Sequence, residues 1–130
     1  MLDHIKFRGK RPDNGEWIIG NGIHFPKSPN YIGTCWLDGG QPRANDWVQV
    51  DPKTVSEYAG ARDVRGTEIY GGDIVRDRNG IVYDVRRIGS AFYLLPQKKS
   101  AAYGYRPTVL DVTLGLTIIG NIYDSSEVEA

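Results

Sequence analysis

Residues 65–80, RGTEIYGGDIVRDRNG, hold four glycines, three arginines and two aspartates. The reading of this stretch decides the fold. A phosphate-cradling loop needs glycines followed by Lys and Ser/Thr entering a long helix. Here Gly66 and Gly71 are followed by Gly72-Asp73, and Asp73 would repel a phosphate. Ile74 and Val75 come next, and β-branched residues favour a strand. A calcium loop at 77–84 fares no better. Asp77, Asn79 and Gly80 match part of the pattern, but Arg78 interrupts it and no late bidentate glutamate follows. Turns between strands are left: Glu68–Tyr70 as a strand, a bend at Gly71-Gly72, Ile74-Val75 entering the core, and a hairpin turn at Asn79-Gly80.

Working outward, the same grammar repeats. Asp13-Asn14-Gly15 is a turn between two N-terminal strands, with Trp17, Ile18 and Ile19 opening the return strand, and Asn21-Gly22 is a second turn signal. Residues 81–96 form a hairpin around Gly89-Ser90, with Ile81, Tyr83 and Val85 on one face and Asp84 and Arg86 on the other. "YIGTCWL" (31–37) reads as one strand. The rest of 26–46, with three prolines and Gly39-Gly40, reads as a long irregular loop. "WVQV" (47–50) alternates and reads as a strand. Asp51 as N-cap, Pro52 at the first helical position and Gly60 as terminator predict a short helix over 52–59, with Val55 and Tyr58 packed on the core. Residues 97–107 read as an exposed loop. Residues 108–123 carry one or two strands before a polar tail.

Composition agrees with one small mainly β domain. The 130 residues are 40% apolar and 25% charged, with 16 glycines, eight tyrosines and three tryptophans. Formal net charge is zero, so the total lends no support to a nucleic-acid role. Its distribution is uneven. Between residues 76 and 106 stand Arg76, Arg78, Arg86, Arg87, Lys98, Lys99 and Arg106 against Asp77 and Asp84, while 107–130 has four acids and no base. These cations suit either a basic patch or ordinary solvated strand faces. Cys35 is the single cysteine, which rules out an internal disulfide and a cysteine metal cage and fits a reducing cytoplasm. No apolar run approaches the ~20 residues of a membrane span, and the N-terminus has no signal-peptide core. The expectation is a cytoplasmic chain with no membrane partner.

Three blocks, IKFRGKRPDNGEW (5–17), VDPKTVSEYAGARDVRGTEIYGGDIV (50–75) and IIGNIYDSSE (118–127), together resemble the YopX family, small proteins of bacteriophages and of prophage or mobile regions of bacterial genomes. The middle block is the most specific. The resemblance implies a mainly β protein with a core similar to an SH3-type barrel, and brings no activity, cofactor or catalytic residue. The chain departs from the family's habit at Gly71, where an acid is usual, and at Ile19 and Asn21, where an aromatic and an acid are usual. Taken together, the expected architecture is a small SH3-like barrel with an N-terminal β-hairpin extension and one short helix. It forms a single unit over 1–130, with a strand region at 1–50 and the barrel-like core at about 51–130.

No catalytic set stands out. His4 and His24 are the only histidines, and each suits a strand surface better than a metal site. Cys35, between Thr34 and Trp36, suits a structural thiol. Asp63, Glu68 and Asp73 cluster in sequence, but acids beside glycines commonly accept backbone N–H bonds in turns. The expectation is a non-enzymatic module without cofactor or metal. Its surplus of Tyr and Trp suits self-assembly or a protein partner. The alternative is single-stranded nucleic-acid binding through Lys98, Lys99, Tyr103, Tyr105 and Arg106, which combine cations and rings in one loop.

Overall fold

The structure, a computed structural model, describes residues 5–24, 30–38, 41–97 and 106–127. It is mainly β, as the sequence predicts, and divides into two compact units, Met1–Tyr58 and Ala59–Ala130.

In the first unit, β1 (Phe7–Lys10) and β2 (Trp17–Gly20) form the expected N-terminal hairpin, with Arg8 opposite Ile19 and Lys10 opposite Trp17. The Asn14 side-chain oxygen accepts from the Glu16 N–H at 2.9 Å and holds the turn. A three-stranded antiparallel sheet follows, in the order β3 (Gly22–His24), β4 (Asn30–Asp38), β5 (Gln41–Val50). Ile32 and Val50 are the buried hydrophobic residues of this unit among those described. Gly9 of the hairpin lies against both, so close that a Cβ there would sit 2.9 Å from the Val50 Cβ. The expected long loop before Trp47 is therefore corrected: Gln41–Asp46 is strand, paired with β4 from Asp38 to Thr34. Pro42 is tolerated because β5 is the edge of its sheet, where the missing N–H interrupts no further ladder.

The helix predicted over 52–59 is also corrected. Its start signals are real, since the Asp51 carboxylate accepts from the Lys53 N–H at 3.0 Å and Pro52 opens the turn. Only one 3-10 turn forms, Pro52–Thr54, and the chain then enters β6 (Ser56–Arg62). A non-local ladder overrides the local signal. Ser56 and Glu57 pair with Arg8 and Phe7, and the Tyr58 N–H donates to the Lys6 carbonyl at 2.8 Å. Thr54, not Val55 or Tyr58, is the buried residue here. Gly60 (φ 80°) lies inside β6 and does not end a helix.

In the second unit, β6 continues to Arg62 beside β7 (Glu68–Tyr70). A five-stranded antiparallel sheet has the order β11-β10-β9-β8-β12. Its strands are β8 (Asp73–Arg76), β9 (Val82–Ile88), β10 (Ala91–Pro96), β11 (Thr108–Val109) and β12 (Thr117–Asn121). Ile69, Val75, Tyr83, Val85, Leu94 and Leu116 make the core, with Ile81 and Phe92 packed against it. Tyr83 and Val85 are buried while Arg86 is exposed, which is the alternation read from the sequence.

The SH3-like barrel does not appear, because no sheet closes among the described residues. β11 and β12 remain the two edges of the five-stranded sheet. The β12 edge is covered locally: the Ile118 N–H donates to the Asp63 carboxylate at 3.0 Å, and the Val64 N–H to the Leu116 carbonyl at 2.9 Å.

Candidate functional site

The opening stretch proves to be turn architecture. Asp63 accepts from the backbone N–H groups of Arg65 (2.9 Å), Thr67 (3.0 Å) and Ile118 (3.0 Å). Burial pushes its carboxyl up, but the three donors outweigh that and hold it below the usual carboxylate range. Asp73, 1% exposed, accepts from the Tyr70 N–H at 2.8 Å. Asp77 accepts from the N–H groups of Asn79 and Ile81 and from the Tyr83 hydroxyl. Glu68 accepts from the Tyr70 hydroxyl at 3.2 Å and pairs with Arg62 at 3.4 Å. These acids hold turns and, through Asp63, the start of β12, by accepting backbone and tyrosine donors. No group of three His, Cys, Asp or Glu that could hold a metal occurs among the described residues. His24 lies in β3 and Cys35 in β4. His4 lies outside the described residues.

Of the five residues predicted for nucleic-acid binding, Lys98, Lys99, Tyr103 and Tyr105 lie outside the described residues. Arg106 is exposed, two residues before β11.

Two surfaces are built by the fold. The first is an open, mainly apolar groove of about 480 Å³ in the second unit, with Ser90 and Asp111 as its polar lining. Its walls come from β6 (Ala59, Ala61), the start of β10 (Ala91, Phe92) and the segment after β11 (Leu110, Val112). Small residues leave the space. Val109 and Val112 stay 59% and 47% exposed.

The second surface lies on the β1–β2 hairpin of the first unit. Strand alternation puts Arg8 and Lys10 on one face, and Lys6, just before β1, continues the period beside Tyr58, whose N–H donates to its carbonyl. The Arg8 guanidinium stacks 4.4 Å from the Trp17 ring centroid, Lys10 Nζ lies 5.3 Å from the same ring, and Lys6 Nζ lies 5.5 Å from that of Tyr58. Arg8 Nε also donates to the Ser56 hydroxyl at 3.3 Å. Sequence reasoning missed this surface. Its signal was the period-two run of cations in IKFRGK, read only as part of a family block.

The YopX protein family matches residues 6–128. The chain belongs to the YopX family. The match takes in all three sequence blocks that carried the resemblance except Ile5, and both surfaces lie within it. A search of curated proteins finds no match. YopX membership adds no activity or ligand to what the geometry says. No helix among the described residues is long and apolar enough to cross a membrane.

Proposed function

We propose that this YopX-family chain is a non-enzymatic binding module that assembles with itself, a second copy seating an apolar edge in the groove of the second unit. The observation that carries the reading is the groove itself: Ala59, Ala61, Ala91, Phe92 and Leu110 line it, and Val109 and Val112 stand exposed at it. Exposed contiguous apolar surface is characteristic of interaction sites. A second copy is a suitable occupant because a chain of zero net charge has little long-range self-repulsion to oppose association. The commitment of Asp63, Asp73 and Asp77 to backbone donors supports the non-enzymatic part. The alternative, nucleic-acid binding through Lys98, Lys99, Tyr103, Tyr105 and Arg106, draws its support from sequence composition and the exposure of Arg106.

Light scattering on the full chain at micromolar concentration tests the assembly. The expected result is a mass of two or more copies that falls to one copy in Val109→Asp and Val112→Asp, with circular dichroism unchanged. A monomer throughout the accessible concentration range, or an oligomer indifferent to both substitutions, overturns it.

A further inference from the structure

The β1–β2 hairpin face has the chemistry of a different ligand. We infer that Lys6, Arg8, Lys10, Trp17 and Tyr58 form a binding face for single-stranded nucleic acid, separate from the apolar groove. Strand β1 supplies Arg8 and Lys10, the residue just before it supplies Lys6, and each flanking strand supplies a ring: Trp17 on β2, opposite Lys10, and Tyr58 at the third position of β6. Residues two apart on a strand are separated by about 6.8 Å. Three cations therefore stand in a row at a spacing that an extended phosphodiester backbone can follow. A base can stack on the Trp17–Arg8 pair, because rings and guanidinium planes both offer flat faces to bases. The register sets Ile19 and Ser56 beside Arg8.

Single-stranded nucleic acid fits better than the other anionic partners. An anionic membrane would call for Trp17 to insert its ring, yet that ring is covered by Arg8 at 4.4 Å and approached by Lys10 at 5.3 Å. An acidic peptide would use the cations but has no general need for rings between them. Duplex DNA is read by an element that enters a groove, whereas this is a short sheet face whose side chains are half-buried. The chain's zero net charge does not forbid such a site, because the ligand meets the local field of three clustered cations.

Fluorescence anisotropy of a labelled oligothymidylate with the full chain tests the inference. Three phosphate contacts predict a log–log salt slope of about −2, so going from about 50 to about 200 mM salt should weaken binding roughly 20-fold. Arg8→Gln with Lys10→Gln should lower the slope by about 1.4 and the affinity by about tenfold or more. Arg8→Lys, which keeps the charge and loses the plane, should leave the slope and weaken binding a few-fold. It also serves as the informative variant should the double substitution unfold the hairpin. Trp17→Leu should likewise weaken binding while leaving the slope. Lys98→Gln with Lys99→Gln should change neither affinity nor slope. The inference is overturned by an absence of salt-sensitive binding, by binding that depends on Lys98 and Lys99 but not on Arg8 and Lys10, or by binding to anionic vesicles without binding to the oligonucleotide.

Discussion

The Tyr83 hydroxyl donates to the Asp77 carboxylate at 2.8 Å, with both residues only 7% exposed. The bond joins β9 to the residue that holds the Asn79-Gly80 turn, since the other Asp77 oxygen accepts from Asn79 and Ile81. Burial first, and Asp77 second, push the Tyr83 phenol up to about 12. Its proton is therefore held more tightly in the folded chain than in the unfolded one, where the value is near 10. Stability from this source is fully present below about pH 10 and is lost as pH rises towards about 12. Tyr83→Phe should cost about 1–2 kcal/mol at neutral pH. It should also remove this part of the alkaline loss. Urea unfolding of both proteins from pH 7 to 11 measures the two effects, and parallel pH profiles would refute the second.

Asp63 gives the opposite sign. Three backbone donors hold its carboxyl below the usual range in the fold. Its contribution is present above the unfolded value, near 3.9, and is lost as pH falls through the folded one. Asp63→Asn is close to isosteric but turns an NH2 towards at least one N–H, at a cost of about 1–3 kcal/mol. The variant should lose stability at pH 7 and show a shallower acid limb than the parent. Unfolding midpoints between pH 2 and 7 decide it.

Thr54 performs the matching task in the first unit. Its hydroxyl donates to the Asp51 carbonyl at 2.7 Å and accepts from the Lys10 N–H at 2.8 Å, tying the 3-10 turn to β1. Thr54→Val keeps the shape and deprives a partly buried N–H of its acceptor, which should cost about 1–2 kcal/mol. Thr54→Ser should retain most of the stability. Amide exchange at Lys10 should accelerate in the valine variant and stay slow in the serine variant. Unchanged exchange in both would show that this bond does not hold the hairpin end.

The contrast between what sequence revealed and what it hid follows the range of the interactions. Asn14-Gly15, Asn79-Gly80 and Gly89-Ser90 were legible because turn chemistry is settled within four residues. Tyr83 and Val85 were legible because strand alternation is local too. The Asp51-Pro52 signal was read correctly and still misled, because the fate of residues 56–58 is decided by β1, nearly fifty residues earlier. Pro42 disguised a strand, since nothing local says that β5 will be an edge. The candidate surfaces were hidden for the same reason. Lys6, Arg8 and Lys10 alternate visibly, but only pairing with β2 and β6 supplies the rings. The groove needs β6, β10 and the β11 segment together.

Gly72 and Gly80 separate two costs that usually arrive together. Both have φ 89°. A Cβ on Gly80 would meet nothing within 4 Å, so Gly80→Ala reports backbone strain alone, about 1–2 kcal/mol. A Cβ on Gly72 would lie 2.7 Å from Cε2 of the Tyr123 ring. The chain there cannot shift easily, because the Gly72 N–H donates to the Val85 carbonyl and the Gly72 carbonyl accepts from the Ile122 N–H, each at 2.8 Å. Gly72→Ala should therefore cost the same strain plus roughly 1–3 kcal/mol of overpacking. Replacing Tyr123 by Leu should recover much of the second part and none of the first, so the two substitutions couple. Denaturant midpoints for the two glycine variants, Tyr123→Leu and the Gly72→Ala/Tyr123→Leu double variant close the cycle. Equal losses at Gly72 and Gly80, or strict additivity with Tyr123, would show that the close approach contributes nothing and that backbone conformation alone requires glycine at residue 72.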